Sequence, residues 1–396
     1  MPRSSNPAGT VIADRLPVGP IGRLGRWTAA HFRLVATAWA VVALGLGILA
    51  PGVETALSGA GWEVTGSESV QARRTIDASF KGSGPYGLTV VVHAKDRTVS
   101  DPTFQQIVRR VQDRLKRDPA VAAVAAPRAG VSISPDRHVA VIRAGAASDA
   151  NAMVRAADDL KGPLARLGSD AIRVDLTGAA GMWSDFNQAN KSAMLESELL
   201  SWPVTLGILV LAFGSLVAAG LPLMLTIAGL VAAAGSLWIG TQIADISIWS
   251  MNFALMFALA LGVDYALFIV YRFRSARNGS VLTDREAVAV TMDTAGKAVL
   301  FSGATVLISL SAVLLVPSPA FRSTSLGVML SVVFVLAAAL TLLPAVLAKL
   351  GPKVDAMPLR WVHSGEHRSP RFARWGERLW RHPHLFGPAA TLVLVL

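Results

Sequence analysis

The sequence predicts a membrane all-α helical bundle that carries an α+β domain outside the bilayer. Three observations lead there. Of the 396 residues, 53% are hydrophobic and 16% charged, whereas soluble domains carry about 25% charged residues. Uncharged apolar runs recur along the chain, each close to the about 20 residues that cross the hydrocarbon layer. Between the first run and the second lies a long polar block, residues 54–196.

The net charge is +11, and its placement excludes a nucleic-acid protein. The polar block holds 18 Lys/Arg and 16 Asp/Glu and is nearly neutral; the other 19 Lys/Arg sit beside or between apolar runs. A basic excess in short loops that flank spans is the positive-inside pattern. The chain has no cysteine, which excludes disulfides, thiolate metal sites and a cysteine nucleophile.

Residues 1–33 form a cytoplasmic N-terminal segment with Arg3, Arg15, Arg23, Arg26 and Arg33. Leu34–Val53 follows without a charge. It is longer than the apolar core of a cleaved signal peptide, about 7–15 residues, and reads as an uncleaved first transmembrane helix. Residues 54–196 read as strand Leu88–His93, helix Thr103–Arg117, strand Val121–Ala125, strand His138–Arg143, helix Asn151–Leu167 and strand Ile172–Leu176. The strands alternate apolar and polar residues and the helices repeat at three to four. The order is βαββαβ, the ferredoxin-like split unit. A last helix, about Met182–Leu200, runs down into the membrane.

Residues 197–350 hold transmembrane helices 2–6. Leu199–Gly240 is 42 residues without a charge, enough for two spans. Gly214-Ser215 and Gly220-Leu221-Pro222 mark the turn between them. Ile246–Tyr271, Ala298–Val316 and Ser325–Ala348 are the next three spans. A basic linker, 351–384, leads to residues 385–396, the start of a seventh helix. With the N-terminus inside, 18 of the 19 Lys/Arg outside the polar block fall on the cytoplasmic side, Arg322 being the exception. The polar block is then extracytoplasmic.

The segment from Arg23-Leu24-Gly25 to His31 and Leu34 matches Arg374-Trp375-Gly376 to His382 and Leu385 at a constant offset of 351 residues. Six spans between the copies return the chain to the same side, so a second copy would run parallel to the first. The chain reads as one full repeat and the opening of another.

Asp264 is the charged residue inside the expected spans. A carboxylate at a helix centre costs about 2.5–3.5 kcal/mol, and an intramembrane acid is by default a functional one. It can be neutral in one state and charged in another, as a proton carrier must. Snorkelling to the headgroups is the alternative. Eight residues separate Asp264 from Arg272, about 12 Å of helical rise, too far for a short side chain. Tyr265 points about 100° away from Asp264 and is expected to meet a partner from elsewhere.

The stretch Gly262-Val263-Asp264-Tyr265-Ala266-Leu267-Phe268 with Tyr271-Arg272-Phe273-Arg274 resembles the fourth-helix motif of the MMPL family of the RND (resistance-nodulation-division) superfamily. Ala295–Gly303 resembles the start of that family's fifth helix, and Leu342-Leu343-Pro344-Ala345-Val346-Leu347-Ala348 the end of its sixth. The resemblance covers about residues 20–396 and matches the extracytoplasmic domain in layout. It implies an N-terminal half whose residues 54–196 are a porter domain. It also implies export of lipids or other hydrophobic molecules on the proton gradient. Asp264 and Tyr265 match one Asp-Tyr pair, which in the family faces a similar pair in the second half. That second pair is missing here.

Ser302 is a candidate to hydrogen-bond the Asp264 carboxyl or hold a relay water. The favoured reading for Ser302, as for Gly303 and Gly262, is close helix packing. Asp185, Glu196 and Glu198 line the descending helix and read more simply as a solvated face than as a substrate guide. Asp245 is read as exposed at an outer helix end. His363 and His367 have helical metal-ligand spacing, but with only Glu366 nearby they make no convincing site. The basic residues around them and around His382 and His384 are expected to meet anionic headgroups. Trp27, Trp39, Trp202, Trp238 and Trp249 read as interface anchors. No Walker A sequence and no Ser-His-Asp arrangement stands out.

The expectation is therefore a secondary active transporter rather than an enzyme. It needs no cofactor beyond the proton gradient and sits multi-pass in the bacterial plasma membrane. Its expected partners are membrane lipids, a lipid-like or hydrophobic substrate, and either the missing second half or another copy of itself. The alternatives are a half-transporter acting as a dimer, or a non-transporting scaffold or sensor with the same fold.

Overall fold

In the polar block, apolar residues at every second position build one face of a sheet. A computed structural model describes residues 17–57, 64, 66–79, 86–244, 246–278, 280–358 and 370–395. Helices α1 (Pro20–Ala30), α2 (Phe32–Gly47), α3 (Ala50–Ala56) and α4 (Glu68–Ser79) come first. Then follow β1 (Leu88–Ala94), α5 (Pro102–Lys116), β2 (Val121–Ala125), β3 (Val139–Ala146), α6 (Ala150–Ala165) and β4 (Ile172–Thr177). The strands form one antiparallel sheet in the order β2-β3-β1-β4. Leu88, Val90 and Val92 of β1, Ile142 of β3 and Val174 of β4 share the buried face. Phe104, Val111 and Leu115 of α5 and Met153, Leu160 and Leu164 of α6 cover it. Side-chain period two in strands and 3.6 in helices makes this packing possible. Asp101 and Asp149 cap the two helices, with Asp101 Oδ1 accepting from Thr103 N at 2.8 Å and Asp149 Oδ1 from Ala152 N at 2.8 Å.

The expected elements of this block sit within three residues of the observed ones, except the last. That helix, α7 (Ala179–Phe213), is 35 residues long and passes unbroken from the sheet into the bundle. Gly178, at φ 92, makes the turn out of β4; a Cβ there would lie 2.9 Å from Gly87 O. Gly214, at φ 65, ends α7 in the left-handed conformation.

After it come α8 (Leu216–Thr241), α9 (Trp249–Arg277), α10 (Asp284–Thr291), a π-turn Met292–Gly296, α11 (Lys297–Val313), α12 (Pro319–Leu340) and α13 (Leu342–Leu350). A 3-10 turn, Gly351–Asp355, closes the bundle, and α14 (Pro370–Arg381) and α15 (Pro383–Val395) follow. Among the described residues, six helical segments are long and apolar enough to cross a membrane: Phe32–Val53, Ala179–Phe213, Leu216–Thr241, Trp249–Arg277, Asp284–Val313 and Pro319–Asp355. The chain is thus mostly helical, with a membrane bundle and a small antiparallel sheet.

Two readings need correction, and one span needs a detail added. The chain turns at Gly214-Ser215 alone, and Gly220-Leu221-Pro222 lies inside α8. A membrane helix tolerates such a proline because neighbouring groups satisfy the freed backbone. The last long span, read as Ser325–Ala348, falls within the single segment Pro319–Asp355 and kinks at Thr341 (φ -126). Pro344 stands three residues on, and its ring excludes the carbonyl one turn earlier. Trp39 is no interface anchor, for its Nε1 donates to Thr341 Oγ1 at 3.0 Å, inside the bundle.

Helices α8, α9 and α12 are the most enclosed, while α2, α7 and α11 lie outside them. Small residues let the inner helices meet. A Cβ on Gly229 of α8 would be 2.5 Å from Val335 Cγ2 of α12, and one on Gly327 of α12 would be 2.9 Å from Ser250 O of α9. Ser331 Oγ donates to Ala254 O at 2.8 Å across the same pair. Apolar helices gain no solvent-driven association in lipid, so such contacts and interhelical hydrogen bonds carry the packing.

One end of the bundle is rich in arginine. Arg274 donates to Phe213 O at 2.8 Å, and Arg274 and Arg277 pair with Asp355 at 2.6 and 2.7 Å. Ser215 Oγ lies 2.8 Å from both Val354 O and Ala356 O. The α7–α8 turn, the end of α9 and the turn after α13 are knotted together there. Helix α1 packs against α10, the π-turn and α13 at this same end.

Candidate functional site

Asp264 stands in the middle of α9, ten residues before Arg274 and fifteen after Trp249. At 1.5 Å per residue that is about 15 Å from the arginine and about 22 Å from the tryptophan. Its place on the helix is set by what the opposite face buries. Ala254, Ala258, Gly262, Tyr265, Ile269 and Phe273 face the bundle. Asp264 falls on the outward stripe with Phe253, Met256, Phe268 and Tyr271, all exposed. Its carboxyl forms no hydrogen bond or ion pair among the described residues.

Tyr265, the next residue, turns inward and is 5% exposed. Its buried Oη has no hydrogen-bond partner among the described residues. An unmade hydrogen bond on a buried hydroxyl costs about 1–3 kcal/mol. Gly262 sits where α9 crosses α8: a Cβ there would overlap Thr226 Oγ1 and come within 3.4 Å of Thr226 Cα. That threonine donates to Pro222 O at 3.0 Å.

Ser302 is exposed on α11 in line with Thr305 and Ser309, and no hydrogen bond joins it to Asp264. Gly303, one residue on, is buried, and a Cβ on it would lie 2.8 Å from Leu336 Cδ2 of α12. The structure thus sets Asp264 and Ser302 on outward faces, and Tyr265, Gly262 and Gly303 on inward ones.

Sequence reasoning missed the π-turn that joins α10 to α11. Asp293 in it accepts from Gly19 N at 2.8 Å and pairs with Lys297 at 2.8 Å, while Arg272 Nε donates to Thr294 Oγ1 at 3.1 Å. One extra residue per turn lets Asp293 and Thr294 clasp α1 and α9 together. π-turns gather at functional sites, but nothing in residue spacing announces one.

Among the other candidates, Asp185 pairs with Lys161 at 2.5 Å and Glu198 accepts from Trp202 Nε1, so both have structural partners. Glu196 is exposed. Asp245, His363, Glu366 and His367 lie outside the described residues. His382 and His384 are exposed and flank the start of α15.

The family model described as "MMPL family" matches residues 62–386, which includes α9 and the turns on both sides of it. The chain belongs to the MMPL family. A membrane protein of Streptomyces coelicolor is 34% identical over 336 residues, covering 83% of this chain and 47% of that protein. The mycolic acid-containing lipids exporter MmpL11 of Mycolicibacterium smegmatis is 28% identical over 374 residues, covering 90% of this chain and 39% of that protein. The heme uptake protein MmpL11 of Mycobacterium tuberculosis is 30% identical over 380 residues, covering 92% and 38%. This MMPL chain spans less than half the length of each of these relatives.

Proposed function

We propose that the chain is the N-terminal half of a proton-motive-force-driven RND/MMPL-type transporter that exports lipid-like or hydrophobic molecules. Asp264 takes up and releases the proton. The observation that carries this reading is the outward placement of a carboxyl at mid-depth in the bundle. A charge facing lipid there is costly, and a facing bundle of helices removes that cost. In this reading the α9 stripe around Asp264 packs against the matching helix of a second half, and Ser302 belongs to the same relay. Tyr265 Oη gains its partner in one of the two protonation states, and the change in helix packing moves α7 and the sheet domain attached to it. That domain, read as ferredoxin-like βαββαβ from the order of its elements, is the porter domain. The basic end of the bundle, with the N-terminus, is cytoplasmic by the positive-inside pattern. Two relatives whose names refer to lipid and heme support an amphipathic or hydrophobic cargo.

The test is proton-coupled export by Asp264→Asn in membrane vesicles. Export is lost while the protein inserts and accumulates normally; undiminished export removes Asp264 from the relay. The same outward stripe also suits a dimer of two such halves. In that reading a cysteine introduced beside Asp264 crosslinks to its copy. A cysteine that stays monomeric under oxidation leaves the second half as the facing bundle.

A further inference from the structure

A chain of aromatic rings connects the sheet domain to the helix that carries Asp264. Trp183, in the second turn of α7, packs on the sheet core. It meets Phe186, one turn on, edge to face at 5.7 Å. Phe186 in turn lies 5.8 Å from Trp249, the first residue of α9, and Trp249 lies 6.4 Å from Phe253. These are the separations of attracting aromatic pairs. Phe253 heads the outward stripe of α9 on which Asp264 stands. The rings therefore lead from the sheet core to the stripe of the carboxyl without passing through α8.

A second link joins the same two helices at the basic end. Arg274 of α9 donates to Phe213 O of α7, and its guanidinium sits 5.6 Å from the centre of the Phe213 ring. Both helices run from the sheet side to that end. From Phe186 to Phe213 α7 rises about 40 Å, and from Trp249 to Arg274 α9 rises about 38 Å. The two stretches match in length, so the links sit at corresponding depths. Between them α7 lies on the outside of the bundle, with Leu199, Leu200, Val204 and Ile208 exposed.

The link on the sheet side has unspent bonding capacity beside it. Asn187 lies one turn beyond Trp183, and Asn190 one turn beyond Phe186, at the spacing that sets residues on one side of a helix. Asn187 Oδ1 and Asn190 Nδ2 are buried without a hydrogen-bond partner among the described residues. Such groups are costly to leave unbonded, and an arrangement of α7 that bonds them lowers the cost. The seam thus has a reason to shift. Ring pairs attract both offset-stacked and edge-on, so Phe186 and Trp249 keep contact while it does.

We infer that the Phe186–Trp249 contact passes a shift of α9 to the sheet domain, and that both rings are positioning residues for transport. The inference rests on the proton reading of Asp264. A change of charge there alters how the α9 stripe packs. Trp249 moves with its helix, and Phe186 and Trp183 carry the displacement into the sheet core.

The chain has no cysteine, so cysteine pairs that carry nitroxide labels test this in the whole chain, held in nanodiscs. Labels at 256 and 308 report on α9 against α11. Labels at 110 and 308 report on the sheet domain against α11. All three positions are exposed. In the parent both distances shift between neutral and acidic pH, and Asp264→Asn abolishes both shifts. In Phe186→Ala the 256–308 shift persists and the 110–308 shift is lost. Phe186→Leu, which keeps apolar bulk where the alanine variant fails to fold, gives the same split. Trp249→Phe, which keeps a ring, retains both shifts. Three results overturn the inference. A 110–308 shift that survives Phe186→Leu at full size sends the motion by another route. Loss of both shifts in that variant makes the ring a support of α9 and not a link. Distances in the parent that ignore pH, or an Asp264→Asn variant that shifts like the parent, remove the proton reading itself, and the inference falls with it.

Discussion

Gly262 of α9 lies against Thr226 of α8 so closely that a methyl group on the glycine would overlap the threonine Oγ1. This contact is two residues from Asp264 and fixes the rotation of α9 about its axis. With Gly262 inward, Asp264 is forced outward. Gly262→Ala should therefore destabilise the bundle by about 1–3 kcal/mol through overpacking. Thermal unfolding in detergent reads the loss, and Thr226→Ala in the same chain should recover part of it. Additive effects of the two substitutions would show that the pair is not in contact.

Tyr265 allows stability and function to be separated. Its Oη is buried without a partner among the described residues, so deleting the oxygen removes a cost and opens almost no cavity. Tyr265→Phe should unfold at the same temperature as the parent chain or higher. Proton-coupled export should nonetheless fall about tenfold if the hydroxyl bonds to a charged group in one working state, an interaction of roughly 1.5–3 kcal/mol. A variant that transports normally makes the hydroxyl a bystander.

Much of this architecture was legible in the residues because it follows from period and polarity. The alternation in Leu88, Val90 and Val92 placed β1, and the long apolar runs placed six spans. Asp264 was visible as a charge where none belongs. Its outward direction was not, because a nearly continuous apolar helix carries no stripe that tells the inside of a bundle from lipid. Gly262 and Thr226 mark the inward face only once α8 is seen beside it. The Gly220–Pro222 stretch misled for a related reason: glycine and proline punctuate chains in water, while a membrane helix absorbs them. The π-turn at Met292–Gly296 packs against α1, a tertiary contact that no local pattern encodes.

In the sheet domain, Asp136 gives a pH-dependent prediction. Its carboxylate accepts from Ser134 Oγ at 2.5 Å and from His138 N at 3.2 Å, which holds its pKa below the ordinary 3.8. A group whose pKa is depressed by folding stabilises above its unfolded value, and that contribution is lost as pH falls through the folded one. Asp136→Asn should loosen the turn between Ser132 and Val139 at neutral pH. Hydrogen exchange of parent and variant, compared at matched pH, should converge below the ordinary aspartate range. A difference that persists there would trace the effect to something other than the carboxylate charge.

The join between the sheet domain and the membrane rests on Lys161 of α6. Its ammonium lies 3.0 Å from Ser184 Oγ and 2.5 Å from Asp185 on α7, and Ser184 Oγ in turn donates to Asp158. Ser184 is fully buried, so the cluster cannot hand its bonds to water when one member is lost. Because α7 continues unbroken to Phe213, any change of angle at Ser184 is carried to the basic end of the bundle. Lys161→Met keeps the stem and removes the charge, leaving Asp185 without its cation and Ser184 Oγ without the ammonium donor. The expected cost is about 1–3 kcal/mol. It should appear locally, as faster hydrogen exchange in the second half of α6 and the first three turns of α7, with β1 and β3 unchanged. Faster exchange throughout the sheet would make Lys161 a general support of the domain. No change at all would show that the backbone turn at Gly178 alone holds the two parts in register.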